Sequence, residues 1–502
     1  MHIAFAASEC VPFSKTGGLA DVVGALPRAL AALGHQVSVY LPRYRQTKLT
    51  DPQTVVRSIT VPFDDKYRFC SVVTADTNTP PGIRFYFVDY PQYFDRESLY
   101  GTSVSDYRDN AERFALFSRA VLEASKILGV PHVFHCHDWQ SALVPVMLRT
   151  LYAEDPAFRD VATVFTIHNM GYQGLFPPDT LPLLTLPWDL LTISKMEFFG
   201  QVNFLKGALV LSDFVTTVSK KYSQEIQTTE YGFGLEGVLR NRAATVTGIL
   251  NGVDYDEWSP QSDKFIVAKY WPQDLDGKLQ CKHDLLHAFG VTNADSKMPV
   301  IGVVSRFAAQ KGFDLIAQIM DRLAREEMIM VVLGSGDKLY EDMFQRLNRQ
   351  FPNKIAAKVA FDNAIAHKIE AGADMFLMPS KYEPCGLNQI YSLKYGTVPI
   401  VRATGGLDDT IEPWDARTGK GTGFKFSDYT GEALLATIKQ ALLAYRDPSS
   451  WQMLMRNGMS RDFSWGASAR EYGKIYERAR QARASADATP VAADLKKQPV
   501  LG

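Results

Sequence analysis

Cysteine is scarce: five in 502 residues, at 10, 70, 136, 281 and 385, with no CxxC pair. An odd, scattered set of this kind excludes a disulfide framework or a zinc scaffold and fits reduced thiols in a cytosolic compartment. Net charge is also lacking, since 54 Lys+Arg stand against 55 Asp+Glu for a formal −1. No overall basic field draws the chain to nucleic acid or to an acidic membrane, so any basic site must be local. Long hydrophobic runs are missing too. No apolar stretch approaches the roughly 18 residues that span a bilayer. The opening MHIAFAASECVPFSK has only a short apolar run with no basic lead-in, so it reads as a first strand and not a signal peptide. The expectation is a soluble, cytoplasmic protein with neither a nucleic-acid nor a membrane partner.

What is present is ordinary globular material: 46% hydrophobic and 22% charged residues, at a length suited to two or three domains. Short β-rich runs alternate with longer amphipathic stretches, the signature of βαβ units and mostly parallel sheets. After His2–Ala6 and Gln36–Tyr40, further strands are predicted at Arg84–Val88, Val133–His137, Val161–Ile167 and Phe214–Val218. A second series follows at Ala244–Leu250, Val300–Val304, Met328–Leu333, Ala357–Phe361, Met375–Met378 and Val398–Val401. Two α/β modules fit this better than one. The loop-rich segment from about Tyr255 to Pro299 marks the crossing between them, with a boundary near Asn251–Tyr255. The last residues, RASADATPVAADLKKQPVLG, lack a periodic apolar face and are expected to be disordered.

Three strand-to-helix junctions carry polar and glycine residues of chemical interest. Ser14-Lys15-Thr16-Gly17-Gly18-Leu19-Ala20-Asp21 pairs two glycines with a lysine at a helix start, where backbone N–H groups and the helix dipole favour an anion. It matches neither the Walker loop nor GxGxxG, which removes the main support for a P-loop or dinucleotide reading. Ser305-Arg306-Phe307-Ala308-Ala309-Gln310-Lys311-Gly312 puts two cations five residues apart at the ligand edge of an open sheet, suited to a pair of phosphates. Pro379-Ser380-Lys381-Tyr382-Glu383-Pro384-Cys385-Gly386-Leu387-Asn388-Gln389 sets a carboxylate ahead of a helix start, able to face a sugar while the helix holds phosphate. Lys15–Leu19 and Ala403-Thr404-Gly405-Gly406-Leu407 echo each other once per module.

His135-Cys136-His137-Asp138-Trp139 and Thr166-Ile167-His168-Asn169-Met170 close two further strands. The first looks like a metal cluster, but adjacent strand residues point to opposite faces, so His137 and Asp138 cannot both aim inward without a bend. No ligand spacing completes a tetrahedral site, and no metal is expected. Asp254-Tyr255-Asp256 spells DxD, a three-letter match too short to carry a metal assignment.

Taken together, SKTGGLADV, HDWQSAL, TIHNMGYQG, GILNGVD, SRFAAQKG, PSKYEPCGLNQ, KYGTVP and TGGLDDT, in unbroken order from Met1 to about Arg480, closely resemble the bacterial glycogen synthases and plant starch synthases, retaining glycosyltransferases of family 5. The resemblance implies the α/β GT-B fold, two Rossmann-like domains facing across a cleft. Residues 1–252 would form the acceptor side with a returning helix at 464–480, 253–463 the nucleotide-sugar side, and 481–502 a disordered tail. It implies transfer of glucose from ADP-glucose to the nonreducing 4-hydroxyl of an α-1,4-glucan or maltooligosaccharide, without a metal or other cofactor.

Site residues follow from the same resemblance. Lys15 and the Gly17–Gly18 backbone, with Asp21 in the same motif, would meet the donor, while Arg306 and Lys311 would hold the diphosphate. Asp138 and His168 would orient the glucosyl ring and the incoming hydroxyl, Asn251 would bind a sugar hydroxyl, and Glu383 would contact the sugar near the reacting carbon. Tyr100 is a further candidate for the pocket. The helix start at Cys385, Gly386 and Leu387, with Thr404, Gly405 and Gly406, would complete the phosphate cradle. Asn388 stands where related chains often carry Thr, and either side chain can serve a helix N-terminus. A glucan phosphorylase shares the scaffold but needs a Schiff-base lysine for pyridoxal phosphate and a longer chain. A glucan-binding scaffold without turnover would not need the intact Lys15, Arg306, Lys311 and Glu383.

Overall fold

A computed structural model describes residues 1–64, 66–75, 80–102, 105–291, 295 and 297–487. The chain packs as two units, one formed by Met1–Ile167, Tyr172–Val215 and the described residues from Ala469, the other by His168–Gly171 and Thr216–Ser468. The sequence sets its boundary at 252/253. The earlier division arises because the helix Lys220–Glu225 packs on the helix Gly405–Thr410.

In the first unit, β1 (His2–Ala6) pairs in parallel with β2 (Gln36–Pro42). That pair is continued on one side by β5 (Ile83–Asp89), after the edge hairpin of β3 (Gln53–Phe63) and β4 (Lys66–Thr74). On the other side of β1 lie β6 (Val133–His137), β7 (Ala162–Ile167) and then the strand Phe214–Thr217. Strands β1, β6 and β7 are buried almost throughout, the pattern of a sheet covered on both faces. The order turns back between β1 and β6, so the crevice outside their carboxyl ends is the ligand position of a doubly wound sheet.

The antiparallel hairpin β3–β4 was not among the expected strands. Its buried residues, Val56, Ile59, Val61, Phe63, Cys70 and Val72, are broken up by exposed or half-buried ones such as Arg57, Thr60 and Phe69, so it offers no continuous apolar run.

The second unit has a six-stranded, wholly parallel sheet in the order Ile355–Val359, Ile329–Gly334, Val300–Val304, Met375–Met378, Val398–Arg402, Phe424–Phe426. Its core joins Ile301, Val303, Met330, Val332, Leu377 and Ile400 to the apolar faces of Phe313–Leu323 and Gly431–Tyr445. Here the order turns back between Val300–Val304 and Met375–Met378, which puts the Arg306 and Glu383 loops at one crevice. The expected strand Ala357–Phe361 begins two residues earlier and stops at Val359, leaving Phe361 exposed. Of the expected strand Ala244–Leu250, only Val246–Gly248 is extended, preceded by a 3-10 turn.

The last helix runs from Trp465 to Asp487, so residues 481–487 are helical where a disordered tail was expected; 488–502 lie outside the described residues. Its Tyr476 is fully buried and bonds His135 Nδ1 at 2.8 Å, while His135 Nε2 meets Thr166 Oγ1 at 2.6 Å. His135 therefore fastens this helix to β6.

Candidate active site

The first unit's crevice holds the Lys15–Leu19 turn. Thr16, Gly17 and Gly18 are exposed, and the helix Gly18–Ala32 is anchored beneath them by buried Leu19, Ala20 and Val23. Lys15 Nζ lies 2.7 Å from Asp21 Oδ1, so these two expected binding residues are paired with each other. Burial pushes the Asp21 carboxyl up, against the pull of Lys15. A residue outside the expected set, Glu9, holds the turn. Buried three residues past β1, it accepts from Thr16 N–H (2.5 Å), Thr16 Oγ1 (2.6 Å), Gly17 N–H (3.1 Å) and Tyr100 Oη (2.6 Å). Tyr100 thus enters the network as a bond to Glu9.

Asp138 follows β6 with φ +54, a left-handed backbone rare for a residue with a side chain. This is the bend that the sequence argument requires: the chain turns sharply after buried His137, and Asp138 is only half-buried at the sheet's carboxyl edge. Such strain costs on the order of 1–3 kcal/mol and collects at functional positions.

In the second unit, Lys311 Nζ lies 2.7 Å from Glu383 Oε2, which also accepts from Ser380 Oγ at 3.0 Å. The two loops are laced together: Lys381 N–H donates to Gln310 O at 2.8 Å and Gln310 Nε2 to Tyr382 O at 3.0 Å. Gly312, at φ +75, makes this approach possible, because a Cβ there would meet Pro379 O at 2.0 Å. Arg306 is exposed and makes no ion pair among the described residues. The two expected diphosphate cations therefore differ: one is tied to Glu383 and the other is open to solvent.

Asn251 is buried, and its Oδ1 finds no hydrogen-bond partner among the described residues, an uncommon condition for a buried acceptor. The backbone of Asn251 contacts the Cys385 thiol, which burial pushes up to about 12. Cys385 is therefore a small buried group and no nucleophile. His168 is half-buried, and loss of solvent lowers its imidazole to about 3, leaving it neutral at physiological pH.

Several expected details differ. The helix near Cys385 begins at Asn388, with Leu387 as its cap and Gly386 at φ +68 in the preceding turn. Asn388 does not serve that helix end; its Nδ2 donates to Val304 O at 2.9 Å. The donors of the Thr404–Gly406 turn are used within the protein. Thr404 Oγ1 and Gly405 N–H both bond Glu225 at 3.1 Å, and Gly406 N–H bonds Glu383 O at 3.1 Å. Glu225 is a second residue that sequence reasoning missed, since its partners lie 180 positions away. Glu9 left a weak signal, an acidic residue three positions after a first strand.

Comparison with known proteins agrees with this architecture. Residues 2–241 match the family model described as starch synthase catalytic domain, and residues 287–455 that of glycosyl transferases group 1. A glycogen synthase from Koribacter versatilis is 72% identical over 484 residues, covering 96% of this chain and 99% of that protein. One from Anaeromyxobacter is 46% identical over 479 residues, covering 95% and 99%. The catalytic domain of starch synthase IV from Arabidopsis thaliana bound to ADP and acarbose superposes with a TM-score of 0.87 at 34% identity, covering 96% and 99%. With 72% identity to one glycogen synthase and nearly full coverage of both chains, the fold is GT-B and the chain belongs to the glycogen synthase and starch synthase family.

Proposed function

We propose that the protein is a retaining glucosyltransferase that moves glucose from ADP-glucose to the nonreducing 4-hydroxyl of an α-1,4-glucan or maltooligosaccharide. The observation that carries this reading is the Lys311–Glu383 pair at the carboxyl edge of a doubly wound sheet, with Arg306 exposed on the same loop. Breaking the anomeric C–O bond leaves its electron pair on ADP and positive character on the sugar. Arg306 opposes the charge growing on the diphosphate. Lys311 keeps the Glu383 carboxylate in place, and its remaining N–H groups are able to reach phosphate as well.

Glu383 steadies the oxocarbenium-like ring while the acceptor hydroxyl attacks from the face that ADP leaves. A β-phosphate oxygen takes the hydroxyl proton, so neither a covalent enzyme adduct nor a separate acid is needed. Lys15 and the Gly18 N–H serve the donor. Asp138 and neutral His168 orient sugar and acceptor, and the orphaned Asn251 Oδ1 accepts from a sugar hydroxyl. The relatives named glycogen synthase, and the ADP and acarbose in the plant structure, support this choice of donor and acceptor. A cytoplasmic setting is part of the proposal, supported by five unpaired, buried cysteines.

Incubation with maltooligosaccharide and either ADP-glucose or UDP-glucose, following nucleotide release and chain length, tests the reading. Extension with ADP-glucose is expected; failure of both donors sinks it. Glu383→Ala should lower kcat by about 10²–10³, the usual cost of removing one preorganised electrostatic group. Trapping of a glucosyl adduct on Glu383 or Asp138 would overturn the same-face step.

A further inference from the structure

We propose that Glu9 is a positioning residue that commits the Thr16 and Gly17 amides and thereby leaves the Gly18 amide as the first open backbone donor of the turn for the nucleotide's phosphate. The inference deepens the proposed function and rests on it for the identity of the ligand.

An exposed turn of small residues has no packing to hold it. Cβ atoms added at Gly17 or Gly18 would meet nothing within 4 Å, so the protein around the turn does not dictate its path. What fixes it is the Glu9 carboxylate, 4% exposed, whose two oxygens are both engaged. Oε2 takes the Thr16 and Gly17 N–H groups, and Oε1 takes the hydroxyls of Thr16 and Tyr100.

The carboxylate is itself tied back into the core. Tyr100 Oη meets Ser8 Oγ at 2.7 Å, the Tyr100 carbonyl accepts from Asn110 Nδ2 at 2.9 Å, and Asn110 Oδ1 accepts from fully buried Arg113 at 2.7 Å. A continuous chain of bonds thus runs from the helix Asn110–Leu128 to the turn, and fully satisfied buried networks of this kind are rigid.

Gly18 is the first residue of its helix, and its N–H has no hydrogen-bond partner among the described residues. With Thr16 and Gly17 spoken for, the first open backbone donor that an anion meets at this helix start is the Gly18 N–H, three residues after Lys15. Glu9 also sets a limit. Its negative charge behind the turn disfavours any pose in which phosphate presses onto the Gly17 amide.

Gly18→Pro removes that single N–H at the first helical position, where proline is well tolerated. The preceding Gly17, at φ −150 and ψ −170, already has the extended backbone that proline demands. Calorimetric titration with ADP should show at least tenfold weaker binding, with an unchanged circular dichroism spectrum. Glu9→Gln, which offers one acceptor oxygen instead of two, should raise KM for ADP-glucose at least tenfold, leave KM for maltooligosaccharide unchanged, and speed hydrogen exchange at Thr16 and Gly17.

Wild-type affinity in Gly18→Pro, or an unaltered donor KM in Glu9→Gln, overturns the proposal. Should Gly18→Pro fail to fold, Glu9→Gln decides alone. Wild-type protein that does not bind ADP at all removes the functional reading with it, whereas tight wild-type binding that survives both substitutions removes only this inference.

Discussion

Thr16-Gly17-Gly18-Leu19 in the first unit and Thr404-Gly405-Gly406-Leu407 in the second are the same four letters at the same kind of place, a loop entering a helix over a buried leucine. Both turns give amides to a buried glutamate, Glu9 in one and Glu225 in the other. The glycines, however, are there for opposite reasons. Around Gly17 and Gly18 a Cβ has open space. At Gly405, with φ +45, it would meet Glu383 O at 2.0 Å, and at Gly406 it would meet Cys385 O at the same distance. The first pair leaves the face of the turn open, and the second lets one loop lie against another so that the Glu383 backbone is held. A shared motif therefore does not imply a shared task.

The largest consequence is for stability. Gly405→Ala forces a side chain into the left-handed region, costing roughly 1–2 kcal/mol, and into a backbone contact worth about 1–3 kcal/mol more. Gly17→Ala should cost almost nothing. Urea midpoints of the two variants measure the contrast directly; a Gly405→Ala protein as stable as the wild type would falsify the packing explanation.

This comparison also marks how far the sequence could be read. The parallel strands were legible where burial makes them continuously apolar, as at Val133–His137, Val300–Val304 and Met375–Met378, whose limits match the expectation residue for residue. The β3–β4 hairpin was not, because exposed residues break up its buried ones. Within the site, glycines, cations and Glu383 announced themselves through local composition. Glu9 and Glu225 did not: Glu225 bonds a turn 180 positions away, and Glu9 closes back on Thr16 and Gly17 across a loop and is anchored by Tyr100, 91 positions away, contacts that only the folded chain creates. The Lys311–Glu383 pair likewise joins residues 72 apart, so the sequence does not show that they meet.

A smaller, pH-dependent effect belongs to Glu225. Burial raises the Glu225 carboxyl above its ordinary value of 4.5, outweighing the bonds from Gly405 and Thr404. Across the acid range between the unfolded and folded values, the folded protein holds the proton that the unfolded chain has lost. Stability from this group is therefore complete below about pH 4.5 and is lost as pH rises through the folded value. Glu225→Gln removes the titration, so its melting temperature should improve relative to wild type between pH 4 and pH 7. A constant difference across that range would mean that Glu225 keeps its ordinary acidity in the fold.

The smallest effect is also the most discriminating. Gly18→Ala keeps the N–H and adds a methyl group at an exposed first helical residue, where replacing glycine stabilises by up to about 0.5–1 kcal/mol through the reduced freedom of the unfolded chain. Were Gly18 present for the sake of the fold, the substitution would lower the urea midpoint, as at Gly405. If instead it keeps the approach to the Gly18 amide clear, the midpoint should rise slightly while KM for ADP-glucose increases and KM for maltooligosaccharide holds. Stability and donor affinity moving in opposite directions is a combination that a packing glycine does not produce, so one variant measured both ways distinguishes the two turns.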